Sequence, residues 1–415
     1  MFYYTIFGII IIGKLKTKTK RLLQISLNAL LISALPLLTW ILLGMIVRPE
    51  IANVFSLTYP IQFIYMALTV IFGVGANITA KKLRDKNVVM TNLFVGMIII
   101  GVVTAFSCIR IDEYLEWMGM EVEVYRDFSV YCMVSCFLTA IVQMISQKLY
   151  YRNEIKKTNL MNTIYGLVNF AMIVGLNMVT NHVVAIVLTL VVDAIVAMVF
   201  LLMNHEKWKF RLCLWQNIKN TSFEILDDFG MFVAYGMGYM HSFSYGKEFL
   251  DATNFETLTT DAQWDMLNEA VSTAAKVDVT EGKFKYRKLR RGALGLVGIL
   301  AGTTLIMTLA LYWYYKPDLS ILAILIGVQF IDMMMSAMNY LRWSYMQIKD
   351  NRASHNVVVL ATRVIRVACA FIPTGFCVYI GQLASTLVKY VYARWVCRKF
   401  KVFQKVRRRG CLQGR

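Results

Sequence analysis

Apolar runs near or above the ~20 residues a helix needs to cross a hydrocarbon core recur along the whole of this 415-residue chain, separated by short charged segments. No water is present in that core to satisfy backbone N–H and C=O groups, so spans of this length must be helices. The alternating pattern of ~10-residue strands expected of a membrane barrel is absent. Composition agrees: 58% of residues are apolar, 17% are charged and the mean hydropathy is +0.55, which an ordinary soluble domain does not match. Polar edges place spans near 22–47, 55–80, 88–109, 128–147, 159–179 and 183–203 in the first half. The second half adds 225–246, a polar stretch at 256–276, then 292–313, 319–341, 356–373 and 375–396.

Charge tests that count independently, because Lys and Arg collect in cytoplasmic loops. Seven alternate segments, Lys14–Arg21, Lys81–Lys86, Lys148–Lys157, Lys207–Lys219, Lys276–Arg291, Arg342–Arg352 and Arg394–Arg415, hold 36 of the 44 cations. The opposite segments hold Arg48, Arg110, Arg126, Lys247 and Lys316 and are acidic around Asp112, Glu113, Glu116, Glu121 and Glu123. Both termini are therefore expected in the cytoplasm. Omitting the polar span at 256–276 would invert everything after it. That span carries Glu256, Asp261, Asp265 and Glu269, so protein or water must shelter it from lipid.

The expected architecture is an all-α membrane protein of about twelve transmembrane helices, in two six-helix lobes around a central cavity. A short apolar segment and basic flank occupy 1–21, too short to span and without a small-residue cleavage site. The lobes are 22–203 and 221–396, joined by a basic cytoplasmic linker at 204–220 and followed by a basic tail at 397–415. Six plus six with both ends inside is a transporter pattern.

Several segments resemble the multidrug and toxic-compound extrusion (MATE) family, within the multidrug/oligosaccharidyl-lipid/polysaccharide (MOP) flippase superfamily. Ala52-Asn53-Val54-Phe55-Ser56-Leu57-Thr58-Tyr59-Pro60 is similar to the family's Ala-x-Val-Ser-x-x-x-Pro, followed by Gly73-Val74-Gly75-Ala76-Asn77 and a basic loop. Lys148–Thr158 matches the basic loop after span four, and Asn162 and Asn169 resemble the asparagines of span five. Gln329-Phe330-Ile331-Asp332 with Leu341-Arg342 resembles the Gln-x-x-Asp…Leu-Arg of the sodium-coupled branch. The resemblance implies a secondary transporter driven by a proton or sodium gradient, with Gln329, Asp332 and Asn169 on the pathway. Two family carboxylates are missing: their positions fall near Thr39 or Trp40 and near Met240 or His241.

Ionisable groups at membrane depth are costly unless partnered or hydrated, and so mark function. Asp193 lies mid-span among Val191, Val192 and Ala194, and either carries a proton or makes a helix-to-helix hydrogen bond. Asp332 precedes the flexible run Met333-Met334-Met335, which could adapt to varied solutes. His241 sits among Tyr235, Tyr239, Ser242, Ser244 and Tyr245, on a cavity wall or in a packed hydrogen bond; histidine titrates near neutral pH. Arg363 and Arg366, one turn apart, with Lys389, form a cationic set that an anionic substrate would want. Snorkelling to the cytoplasmic edge is the alternative for Arg363 and Lys389, while Arg366 lies deeper.

Walker motifs, Ser/His/Asp sets and HExxH are absent from the sequence, giving enzyme activity no basis, and no cofactor beyond the ion gradient is expected. The eight cysteines show neither CxxC pairs nor His partners at ligand spacing, which leaves the question of a metal open. The basic tail, interleaved with Trp395, Phe400 and Phe403, reads as contact with anionic lipid rather than nucleic acid. The expected setting is a bacterial cytoplasmic (inner) membrane. Expected substrates are a small organic solute or, alternatively, an anionic lipid-linked oligosaccharide; a transport-dead scaffold is the third reading.

Overall fold

The computed structural model describes residues 35–280, 282, 284–349 and 353–399. The apolar N-terminal segment, the start of the first expected span and most of the basic tail lie outside these residues. So do the side chains of Asp261, Asp265 and Glu269.

The described chain is helical and, among the described residues, has no strand. In order, α1 is Leu35–Ile46 and α2 is Pro49–Leu83, then α3 (Asn87–Ile109), the short α4 (Ile111–Trp117), α5 (Val122–Tyr151), α6 (Ile155–Val179) and α7 (His182–Met203). The second half contains α8 (Leu214–Phe243), α9 (Lys247–Glu256), α10 (Ala262–Thr280), α11 (Tyr286–Tyr315), α12 (Leu319–Lys349), α13 (Ala353–Cys369) and α14 (Cys377–Lys399). Seven of these, α2, α3, α5, α6, α7, α11 and α12, are long and apolar enough to cross a membrane. Each coincides with a span expected from the sequence.

Burial runs opposite to that of a soluble protein. Along α7, Val187, Val191, Ile195 and Val199 are exposed while Thr189 and Asp193 are fully buried. On α11, Ile306, Leu309 and Trp313 face out while Thr304 faces in. Apolar faces turned outward suit a hydrocarbon solvent, and polar ones must find partners inside the bundle.

The polar eighth span is a helical stretch from 247 to 280 whose α-helices are joined by a π-helical turn at Thr257–Asp261. At 1.5 Å per residue it is about 50 Å long. Its shelter is protein: Thr253, Asn254, Glu256, Thr257, Thr259 and Thr260 are all buried. Glu256 accepts a hydrogen bond from Tyr379 Oη of α14 at 2.7 Å, and Lys276 pairs with Glu224 of α8.

Helix α8 begins inside the expected linker and leaves helical geometry at Thr221 (φ −124°, ψ 17°). It lies against α2, where a Cβ at Gly75 would stand 2.9 Å from the carbonyl oxygen of Asn217. Only glycine permits that approach. Alongside, Asn217 Nδ2 donates to Asn92 of α3 at 2.7 Å, and Asn220 bonds Thr79 and Lys82 of α2. Toward the other end of α2, Ser56 Oγ donates to Asn254 at 2.7 Å, and Tyr315 Oη donates to the Ile41 carbonyl at 3.1 Å. Between these two levels Phe63 stacks on Tyr235 (5.4 Å), which also meets Tyr59 edge-on. These rings pack α2 against α8. A cavity of about 120 Å³ lies in the C-terminal half, one of about 190 Å³ in the N-terminal half, and a third of about 930 Å³ between them at the Arg48–Lys247 end.

Candidate functional site

Helical periodicity assembles the C-terminal cavity. Gln329, Asp332, Ser336 and Asn339 recur at three- and four-residue spacing on α12, and Gln382, Ser385, Thr386 and Lys389 do the same on α14; all eight side chains turn inward. Asp332 Oδ2 accepts from Ser336 Oγ at 3.3 Å and from Gln382 Nε2 at 3.2 Å. Gln382 Nε2 also donates to Gln329 Oε1 at 2.7 Å. Asp332 Oδ1 and Gln329 Nε2 are buried without a hydrogen-bond partner among the described residues. A buried polar atom left this way is costly, and a bound solute or ion would satisfy both.

On α13, Arg363 and Arg366 project from successive turns into the same cavity. Arg366 Nε donates to Ser385 Oγ at 2.7 Å, and its guanidinium lies 5.5 Å from the centre of the Tyr235 ring. Arg363 Nε donates to Asp227 Oδ1 at 3.0 Å, and Lys389 pairs with the same oxygen. Both cations thus pair with one carboxylate on α8. Gly230, one turn beyond Asp227, leaves the room through which the Arg363 side chain passes.

In the N-terminal half the fully buried Asp193 accepts from Asn169 Nδ2. Asn169 Nδ2 also donates to Tyr131 Oη at 3.1 Å. Asp193 Oδ1 has no partner among the described residues. Asn169 and Tyr131 line the neighbouring cavity together with Thr39, Trp40 and Asn162. Thr39 donates to the Leu35 carbonyl of its own helix at 2.9 Å.

Six of the seven residues singled out from sequence therefore gather in two clusters: Gln329, Asp332, Arg363 and Arg366 in the C-terminal half, Asn169 and Asp193 in the N-terminal half. His241 lines none of the three cavities; its ring meets Tyr245 edge-on at 5.4 Å. Sequence reasoning missed Asp227, Gln382 and Ser385. Asp227 carried a usable signal, since the Asp227-Asp228 doublet falls just inside an expected span. Among the described residues no group of three or more His, Cys, Asp or Glu could hold a metal ion.

Where α5 ends and the loop after α7 begins, Arg152 grips Glu206 with both Nη atoms, one at 2.7 Å, while the buried Lys148 reaches Glu206 at 2.7 Å and the Asn204 carbonyl at 2.7 Å. The hydrogen bonds from Arg152 pull the Glu206 carboxyl down to about 2. Arg211 pairs with Asp85 nearby, so the loop after α7 is held against the ends of α2 and α5.

No family model and no curated protein matches the chain. Solved structures do. A MOP superfamily transporter from Pyrococcus furiosus superposes with a TM-score of 0.68 at 14% identity, over 93% of this chain and 97% of its own. A multidrug resistance MATE family transporter in an outward-facing conformation gives 0.68 at 15% identity, over 94% and 97%. A MATE transporter in complex with MaD3S gives 0.63 at 14% identity. The chain thus has the fold of MATE transporters of the MOP superfamily over nearly its whole length, as a multi-pass membrane protein.

Proposed function

We propose that this protein is a secondary active transporter of MATE type, exporting a small organic solute by alternating access of its two halves and driven by a proton or sodium gradient. The observation that carries the reading is the matched pair of buried carboxylates, Asp193 and Asp332. Each sits beside a cavity in its own half, and each has one oxygen without a partner among the described residues. An ionisable group held that way inside a helical bundle is a site for a proton, an ion or a solute. The inner contacts at Asn217 and Asn220 and the outer contacts at Ser56 and Tyr315 would be the two gates. A bacterial inner membrane, with both termini inside, is the setting that the cation distribution supports.

The test is flux in proteoliposomes under an imposed proton or sodium gradient. Asp332→Asn abolishes gradient-driven transport while the protein remains inserted and folded, and Asp193→Asn acts similarly but less severely. Wild-type flux in both variants would refute coupling through these carboxylates.

Arg363, Arg366 and Lys389 favour a second reading, a flippase for an anionic lipid-linked oligosaccharide. The Pyrococcus furiosus transporter is described as having a binding pocket of reversed polarity, suggesting a different function for that protein. At about 120 Å³ the C-terminal cavity is smaller than the roughly 300–1,000 Å³ of drug-sized ligand sites, which supports a small solute over an oligosaccharide.

A further inference from the structure

We propose that Asp227 is a resident counter-ion standing where the anionic group of the transported solute binds, so that Arg363, Lys389 and Arg366 form an oxyanion subsite in the C-terminal cavity. The solute class is a small organic anion, a carboxylate or phosphate monoester, with an apolar or aromatic body. This rests on the transport reading above and adds the substrate's charge to it.

The geometry is that of an occupied anion site. A single carboxylate oxygen, Asp227 Oδ1, receives both Arg363 and Lys389. An arginine beside a lysine, converging on one oxygen, is the donor set an incoming carboxylate or phosphate would use. The Asp227 side chain lies on the cavity wall and is 20% exposed, whereas the Arg363 side chain is 5% exposed. Both side chains line the cavity, and the carboxylate is the more exposed of the two. Arg366, one helical turn from Arg363, makes no direct ion pair among the described residues; its contacts are Ser385 and the Tyr235 ring. Rotation of Asp227 away would expose three cations to one small volume.

Three further carboxylates line the same cavity. Glu224 and Asp228 share α8 with Asp227, and Glu224 is taken by Lys276 of α10. Asp332 of α12 is held by Ser336 and Gln382. Phe63, Phe223, Tyr235 and Trp343 complete the lining with the flat apolar surface that an aromatic body would contact.

The experiment measures equilibrium binding of phenyl phosphate, benzoate and benzyltrimethylammonium to the purified full-length protein. The first two share the oxyanion and separate phosphate from carboxylate preference; the third reverses the charge on a similar body. Wild-type protein is expected to bind at least one of the two anions, competitively with the other, and not the cation. Arg366→Gln weakens anion binding about tenfold or more, and Arg366→Lys keeps part of it, since each charged hydrogen bond is worth about that factor. Asp227→Asn tightens anion binding, because the internal competitor has lost its charge. Should that variant misfold with two cations unpaired, Asp227→Asn combined with Lys389→Met restores the balance and is expected to bind at about the wild-type level. Binding of the cation, lost in Asp227→Asn, would overturn the proposal and make the acidic residues the substrate site. Unchanged anion binding in Arg366→Gln would overturn it too. Flux of an unrelated solute without anion binding would sink the subsite and leave transport standing. Anion binding with the stated dependence, but no flux under any gradient, would sink transport and leave the subsite standing.

Discussion

Replacing Gly230 with alanine isolates the packing on which the Asp227–Arg363 pair depends. A Cβ at Gly230 would run into the Arg363 side chain, with Cβ at 2.7 Å and Cδ at 2.8 Å and its Cγ closer still. The arginine cannot simply swing aside, because Asp227, one turn earlier on the same face of α8, holds its guanidinium. Overpacking of this kind costs about 1–3 kcal/mol. Exchanging glycine for alanine within a helix returns about 1 kcal/mol. If the pair survives the shift, the net loss is therefore about 0–2 kcal/mol; if it breaks, removal of a partner from a buried ion pair adds about 3–5 kcal/mol. Since no free rotation relieves the contact, the expected loss is about 3 kcal/mol or more. The assay is reversible unfolding in mixed micelles, run as a double-mutant cycle with Arg363→Ala. In that background the obstacle is gone, so Gly230→Ala is expected to be neutral or to stabilise by up to about 1 kcal/mol. Equal effects of Gly230→Ala with and without Arg363 would refute the reasoning, as would a variant as stable as the wild type.

Three further outcomes follow from the same structure. Reporters fused at Lys86 and Lys283 are both expected to read cytoplasmic, and an external signal at Lys283 with an internal one at Lys86 would remove the eighth crossing. Because the folded-state pKa of Glu206 is depressed to about 2 from an ordinary 4.5, its clamp is intact above pH 4.5 and is lost as pH falls through about 2. Hydrogen exchange of residues 204–213, corrected for intrinsic rate, should rise across that window, and Glu206→Gln should raise it already at pH 7; a flat profile would show that the clamp does not hold the loop. Gly75→Ala should lower flux more than stability, since the added methyl meets Asn217 backbone only where α8 closes on α2. Wild-type flux in that variant would mean this contact is no gate.

Most of the fold was legible in the chain itself. Each of the seven long apolar helices coincides with a span marked by hydropathy, because hydrocarbon imposes one rule, internal satisfaction of every backbone group, on each segment separately. The polar stretch at 256–276 was expected to cross on charge pattern alone, since no apolar run marks it, and the structure makes it helical with Glu256, Thr257, Thr259 and Thr260 buried. Asp193 and Asp332 stood out for the same reason, as isolated charges in apolar surroundings.

What sequence could not decide was which charges meet. Arg363 and Lys389 stand 26 positions apart, and Asp227 lies more than 130 residues before either. Depth along a helix can be counted, but rotation and neighbour choice are set by side-chain packing between helices, as at Gly230 and Tyr235. Local pattern therefore could not show that two of these cations share one carboxylate, which tertiary packing brings to both. His241 is the converse case, promising in its polar stripe yet on the lining of none of the three cavities described above. The chain determined its helices, because the bilayer acts on each segment alone; only the packed bundle determined the site, because an ion pair between three helices exists nowhere in any one of them.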